Sequence, residues 1–244
     1  MKEARFFYVP QADTATELPP EEAAHALRVL RLKEGDEIML IDGQGCFYRA
    51  KVTATVGHHC NYHVLERQPQ QPQWNGHLHL AVAPTKMLDR MEWLAEKATE
   101  VGIDELSFLD CQFSERRQLK TPRIEKIVIA AVKQSRKAWM PVVNDMLALQ
   151  HFIKSHTQGR RYIAHCYDEV PRTNLFDELR KPANSDDALV MIGPEGDFSI
   201  DEVRAAVNAG FISVDLGKSR LRTETAGLAA VMMLHLSLCP NSQT

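Results

Sequence analysis

Gly193-Pro194-Glu195-Gly196-Asp197-Phe198-Ser199 and, about twenty residues on, Leu216-Gly217-Lys218-Ser219-Arg220-Leu221-Arg222-Thr223-Glu224-Thr225-Ala226 decide how this chain folds. Each stretch follows an apolar run, residues 188–192 and 211–216, with the length and side-chain character of a buried strand. Each also precedes a helical pattern. In α/β sheets ligands bind where strand ends become loops, and the two runs are expected as neighbouring strands of one sheet. The glycines of the first loop allow a positive φ or a close approach of backbone to ligand. Ser199, with Glu202 three residues on, has the pattern of a capping box for the next helix. A tight strand-to-helix turn would account for that much. The second loop asks for more, because Arg222, Thr223, Glu224 and Thr225 crowd the start of a long apolar helix over residues 226–238. Free backbone N–H groups and hydroxyls there can hold a polar ligand, whereas capping needs only one of the four.

The 244 residues exceed the roughly 100–150 usual for one domain, so two domains are expected. The sharpest break is Gln68-Pro69-Gln70-Gln71-Pro72-Gln73, whose prolines and glutamines suppress periodicity and read as a linker. The resulting division is 1–68, a linker at 69–74, and 75–244. Before the break, strand-like runs recur at residues 5–9, 37–41, 46–52 and 61–65. Asp42-Gly43-Gln44-Gly45 forms a hairpin turn between the middle two. One helix interrupts them, from Pro20 to Leu32, with Ala23, Leu27 and Leu30 on one face. Short strands with a single helix suggest a small β-barrel. After the break, strands and helices alternate, which predicts an α/β domain with a parallel sheet covered on both faces.

Several function classes drop out. The five cysteines are scattered without a C-x-x-C pair, and the ten histidines form no H-E-x-x-H, so neither a disulfide framework nor a metal motif is suggested. His58-His59 reads as an exposed loop pair. No G-x-G-x-x-G opens the first strand–helix unit, and there is no P-loop or nucleophile elbow. No segment offers about 18 uninterrupted apolar residues, and Met1-Lys2-Glu3-Ala4-Arg5 lacks the apolar run of a signal peptide, so no membrane association and a cytoplasmic location are expected. The net charge of −3 gives no global support for nucleic-acid binding. Locally, residues 112–140 hold eight Lys or Arg (Arg116, Arg117, Lys120, Arg123, Lys126, Lys133, Arg136, Lys137) against Glu115 and Glu125, a net of +6. A solvated helix face would look similar, but such a patch on a near-neutral protein suits a selective RNA enzyme. His25, Arg28 and Arg31 recur at three-residue spacing and are expected as a second cationic edge, with Glu21 and Glu22 available as ion-pair partners instead.

GPEG before a Ser-capped helix, followed by LG-x-x-x-LRTETA, resembles the signature of the SPOUT methyltransferases. Within that class it is similar to the RsmE family, which methylates uridine N3 in small-subunit ribosomal RNA. The likeness extends through Lys86-Met87-Leu88-Asp89-Arg90-Met91-Glu92, Lys97 to Gly102, Ser114-Glu115-Arg116, Gln134-Ser135-Arg136 and Ala26 to Arg31, and so covers nearly the whole chain. Two positions depart from the pattern: Asp197, where glycine is common after GPEG, and Lys133, where glutamate often precedes the glutamine. The resemblance implies a PUA-like RNA-binding barrel at the N-terminus. It also implies a SPOUT domain whose C-terminal segment, from about Val190, threads a deep trefoil knot, and a homodimer formed through that domain. It implies S-adenosyl-L-methionine held by Gly193, Pro194, Glu195, Gly196, Leu216, Gly217, Leu221, Arg222, Thr223, Thr225 and Ala226, with no metal. The partner is then small-subunit ribosomal RNA or the assembled subunit, contacted by His25, Arg28, Arg31, Arg116 and Arg136.

Methyl transfer to uracil N3 requires loss of the imide proton, and the resulting charge spreads over the flanking carbonyl oxygens. Arg222 is the candidate stabiliser and Glu224 the nearest acceptor, although a carboxylate at a helix start also serves the helix dipole. A SPOUT enzyme with another RNA target, or a non-catalytic RNA-binding assembly factor, would share much of this sequence. A binding factor has no use for a cofactor loop such as LRTETA.

Overall fold

A computed structural model describes residues 5–238, and the chain divides into two compact units. One runs up to Pro72 and also includes Ile129–Met140; the other holds Gln73–Val128 and the chain from Pro141 on.

The first unit is built on a four-stranded sheet in the order β1 (Phe6–Tyr8), β2 (Glu37–Ile41), β3 (Cys46–Val56) and β4 (His59–Pro69). β1 and β2 are parallel and the other pairs antiparallel. Along β3 the side chains alternate as a half-buried strand requires, with Cys46, Tyr48, Ala50 and Val52 in the core. Asp42 shapes the β2–β3 turn: its Oδ1 accepts from the Gln44 and Cys46 amides at 2.7 and 3.0 Å. Gln68 and Pro69 pair with Phe47 and Cys46, so strand continues into the proline–glutamine stretch.

The helix of this unit differs from its sequence pattern. α1 (Pro20–Ala24) passes into a π turn over His25–Val29. Leu30 N donates to His25 O at 3.1 Å, Leu32 N donates to Ala26 O, and Arg31 takes φ +54°. Leu27, Leu30 and Leu32 all pack on the core, and no single face of a regular helix could present all three. The same widening breaks the three-residue spacing of His25, Arg28 and Arg31. His25 tilts against the Phe7 ring at 6.2 Å, while Arg28 and Arg31 are exposed, so the expected single cationic edge does not form.

Ile129–Met140 brings the end of α3 (Thr121–Ser135) into this unit. Lys133 Nζ meets Glu22 Oε1 at 2.6 Å, which gives the unexpected lysine a buried partner. Arg136 ends the helix at φ +53° and stacks its guanidinium 5.5 Å from the Phe6 ring centre. Trp139 bridges to Gln44 and lies over Gly45.

The second unit carries a seven-stranded, all-parallel sheet. Its strands are β5 (Leu78–Val82), β6 (Glu105–Asp110), β7 (Val142–Ala148), β8 (Arg160–Ala164), β9 (Thr173–Asn174), β10 (Ala188–Ile192) and β11 (Ile212–Asp215), in the order β7-β6-β5-β10-β8-β11-β9. The two ligand-loop strands, β10 and β11, are not neighbours. β8 lies between them and pairs with both, because an apolar run specifies burial but not which neighbour it pairs with. α2 (Leu88–Val101), α5 (Leu175–Leu179) and α7 (Thr223–Leu238) cover one face, and α4 (Leu149–Ser155) and α6 (Ile200–Asn208) the other. α2 stops at Gly102, whose φ of +132° suits glycine. Among the described residues no helix is long and apolar enough to cross a membrane. Cys46, Cys60, Cys111 and Cys166 are free, and Cys239 lies outside the described residues.

Gly45→Ala tests how the first unit closes. A Cβ on Gly45 would stand 2.2 Å from Trp139 Cζ2 at a φ of +98°, whereas one on Gly57, at φ +61°, meets nothing within 4 Å. Gly57→Ala should cost roughly 1 kcal/mol from backbone strain alone, and Gly45→Ala at least about 1 kcal/mol more, measured as midpoints of urea unfolding.

Candidate functional site

Parallel, in-register pairing sets Val82, Ile192 and Ala164 side by side, with Val214 beside Ala164. The loops that leave these strand ends, residues 83–87, 193–199, 165–172 and 216–222, therefore emerge along one edge of the sheet. The loop after β6, residues 111–120, adjoins them.

Side-chain acceptors hold these loops to one another. Glu195 Oε1 accepts from Lys86 N at 3.0 Å. The Ser199 capping box is present, with Glu202 Oε2 on Ser199 N at 2.8 Å, and the other oxygen of Glu202 accepts from Gln112 N at 2.8 Å. Arg116 donates to Thr85 O at 3.1 Å and to Lys86 O at 2.6 Å. It thus braces two loops, and its expected role as a free phosphate contact is not what this geometry favours.

The strained residue of the first loop is not a glycine. Gly193 and Gly196 have ordinary φ values; Gly193 is required by close approach, since a Cβ there would lie 2.9 Å from Phe198 N. Asp197 takes φ +67°, at the position where glycine is common in the resembling sequences. Its carboxylate compensates: Oδ1 accepts from Phe198 N at 2.7 Å and Oδ2 from Cys166 N at 2.8 Å. The departure in sequence keeps the turn and ties it to the β8 loop.

In the second loop Gly217 has φ +108°, donates to Asp215 Oδ1 at 2.9 Å, and has open space where a Cβ would stand. Leu216 and Leu221 are half-buried, and Arg222 is exposed. Ala226 N donates to Arg222 O at 2.7 Å, so the amides of Thr223, Glu224 and Thr225 precede the helical ladder and face outward along its axis. Thr223 and Glu224 are buried and Thr225 is exposed. Glu224 Oε1 lies 3.6 Å from Arg90 NH1, and its buried Oε2 has no hydrogen-bond partner among the described residues. A buried acceptor left unpaired costs about 1–3 kcal/mol, so this oxygen is suited to a donor brought by a ligand.

Two residues at this edge lie outside the candidate site residues. Arg90 stands in the first turn of α2 and engages Glu224. His165, at the end of β8, receives Tyr167 N on Nδ1 at 3.2 Å and buries an unpartnered Nε2; burial holds its pKa below the usual histidine value. A lone histidine after a strand gives no signal in sequence, because its role comes from neighbours far along the chain.

Several cations of the +6 segment are already paired. Arg117 meets Asp110 at 2.6 Å, and Arg123 meets Glu92. Lys120, Arg123 and Lys126 nevertheless line a cleft of about 640 Å³ with Leu119, Thr121, Pro122 and Asp145. That cleft is lined by none of the residues of the two ligand loops.

Asp197 offers a direct test. Asp197→Ala loses two hydrogen bonds and keeps the left-handed backbone, so it should lower stability by about 2–3 kcal/mol. Asp197→Gly, relieved of the strain, should be roughly 1 kcal/mol better than the alanine variant, as read from urea midpoints.

The sequence matches the model of the "RNA methyltransferase domain" over residues 72–235 and that of the "RNA methyltransferase PUA domain" over residues 18–59. It is 27% identical to the ribosomal RNA small subunit methyltransferase E of Rickettsia conorii over 90% of this chain and 89% of that protein. A "probable rRNA-methyltransferase" of known structure from Porphyromonas gingivalis is 41% identical, covers 96% of this chain and 98% of its own, and superposes with a TM-score of 0.88. The ribosomal RNA small subunit methyltransferase E of Neisseria gonorrhoeae, solved bound to S-adenosyl methionine, is 26% identical over 96% of this chain and 98% of its own, with a TM-score of 0.83. With its fold, its loops and these matches in agreement, the chain belongs to the RNA methyltransferase family, of the RsmE type.

Proposed function

We propose that this protein transfers a methyl group from S-adenosyl-L-methionine to N3 of a uridine in small-subunit ribosomal RNA. The observation that carries the reading is the convergence of loops 193–199 and 216–222 at one sheet edge, in a chain matching the RNA methyltransferase domain over residues 72–235. The residues fit the cofactor. Gly217 leaves its backbone open, and the first amides of α7 are available as donors. Gly193, Pro194, Glu195, Gly196, Leu216, Gly217, Leu221, Arg222, Thr223, Thr225 and Ala226 would hold it. When bound it supplies a methyl already activated by the sulfonium, so the protein's task is alignment.

Arg222, exposed at the start of α7, would stabilise the charge that develops on the uracil carbonyls. Glu224, with one oxygen steadied by Arg90, would accept the N3 proton through the other. N3 lies on the Watson–Crick edge, so the target is unpaired or flipped out when it reacts. Exposed Arg28 and Arg31 on the first unit, with His25 and Arg136, and the Lys120–Arg123–Lys126 cleft on the second would contact phosphates. Arg116 would serve RNA indirectly through the loops it braces. The knot formed from about Val190, and a homodimer paired through the second unit, belong to the same reading. α7 is apolar around its circumference and leaves Met232 and Leu236 42% and 64% exposed, which suits a helix covered by a second copy.

Calorimetry on the full chain should give one S-adenosylmethionine site per protomer; no heat of binding would refute the cofactor assignment. Arg28→Ala should lower kcat/KM for RNA on the order of five-fold at low salt and less at higher salt, with cofactor affinity unchanged, since losing one phosphate contact flattens the salt dependence. Equal activity of variant and parent across a salt series would remove Arg28 from the RNA surface. Nucleoside mass spectrometry of small-subunit ribosomal RNA from cells lacking the protein should show loss of 3-methyluridine; an unaltered profile would defeat the choice of target.

A further inference from the structure

At the opposite end of the second unit's sheet from the ligand loops, three side chains far apart in sequence meet. His79 comes from the start of β5, Glu105 from the first residue of β6, and His156 from the residue that caps the C-terminus of α4. His79 pairs in register with Leu189, and Ile192 precedes Gly193, so about 13 Å of strand separates this cluster from the first ligand loop. One ligand atom from each of the three lies within 4.8 Å of the others. The geometry points to a site for one divalent transition-metal ion of borderline softness, Zn(II) in the first instance, bound by His79, Glu105 and His156.

The outer atoms of all three groups are already occupied in the way metal ligands require. His156 Nδ1 donates to Phe152 O at 2.8 Å and its ring stacks on Phe152 at 3.9 Å, which leaves Nε2 for an ion. His79 Nε2 is 2.7 Å from Ser107 Oγ, which leaves Nδ1. Glu105 Oε1 accepts from Asn144 Nδ2 at 2.5 Å, and Asn144 also donates to Ser107 Oγ at 2.9 Å. Glu105 Oε2 accepts from His77 Nε2 at 2.8 Å.

The remaining gap is informative. His79 Nδ1 and Glu105 Oε2 are 3.5 Å apart, long for a hydrogen bond but close to the edge of a tetrahedron with bonds of about 2.0–2.1 Å, roughly 3.4 Å. Two imidazoles and a carboxylate are a recognised zinc set, with the fourth position left to water. His79 is 4% exposed and the edge of Phe152 packs on it at 5.7 Å, so the site has an apolar wall. Bound there, an ion would pin the end of α4 to the first residues of β5 and β6. It is independent of the methyl-transfer reading.

The test uses the full chain, stripped with chelator and titrated with zinc chloride in a calorimeter, while cobalt(II) reports coordination by its visible absorption. The expected result is one ion per chain at micromolar affinity or tighter, with a rise in Tm that EDTA reverses. His156→Ala, at the half-buried helix end, and Glu105→Gln should each weaken binding at least a hundred-fold, while His151→Ala on the exposed side of α4 should not. Circular dichroism checks that each variant is folded, and His156→Cys, which keeps a ligand, should restore binding if the position itself matters. Absence of a one-to-one site, or parent-like affinity in both His156→Ala and Glu105→Gln, would overturn the assignment.

Discussion

β10 is buried along its whole length and exchanges parallel backbone hydrogen bonds with β5 on one side and β8 on the other. Parallel strands cannot be joined by tight turns, so the chain returns over a face of the sheet by a crossover, which is a helix everywhere in this sheet except between β8 and β9. Every strand end therefore releases its loop on the same side. The register is doubly constrained. Ala81, Met191 and Ile163 feed the core beneath α4 and α6, while Leu80 meets α7 at Gly227. A slip of one residue would turn both sets to the wrong face.

The backbone ladder alone leaves the loops free to vary, and carboxylates remove that freedom. Glu202 uses one oxygen to cap its own helix and the other to hold the β6 loop. Glu195 reaches the β5 loop, and Asp197 reaches β8. Each accepts from a backbone amide that would otherwise be left without a partner, and a charged acceptor makes such bonds stronger than neutral ones. The loop is thus rigid at its acidic residues, and Gly217, free of neighbours, is where backbone stands open.

The two ends of one sheet present different chemistry. At the C-terminal end the unpaired groups among the described residues include helix-start amides, an exposed arginine, a buried histidine nitrogen and a buried carboxylate oxygen, suited to a polar organic ligand. At the other end two imidazoles and a carboxylate converge with their outer atoms already held. Burial holds His79 down to about 4, and the hydrogen bond from His77 is the main cause of holding Glu105 near 2. Separate strands deliver these residues, and no local pattern links positions 79, 105 and 156.

Local patterns announced what local physics sets. Strand lengths follow from apolar runs: β2 and β10 lie where periodicity puts them. The Ser199–Glu202 box is a side-chain preference acting within a few residues. The motifs GPEG and LRTETA placed both ligand loops at strand ends for the same reason. What the chain pattern left open was decided between distant residues. β8 entered between β10 and β11 because burial does not choose neighbours. The helix after Pro20 widened to a π turn because three leucines had to reach one core. Asp197 took a glycine's conformation because Cys166 and Phe198 supply amides to its carboxylate. Arg116 became a brace, and Glu224 turned inward to Arg90, because carbonyls and cations from other loops arrived beside them. Periodicity and capping act over a single turn and are written in sequence, whereas partners for buried polar atoms exist only once the strands have assembled.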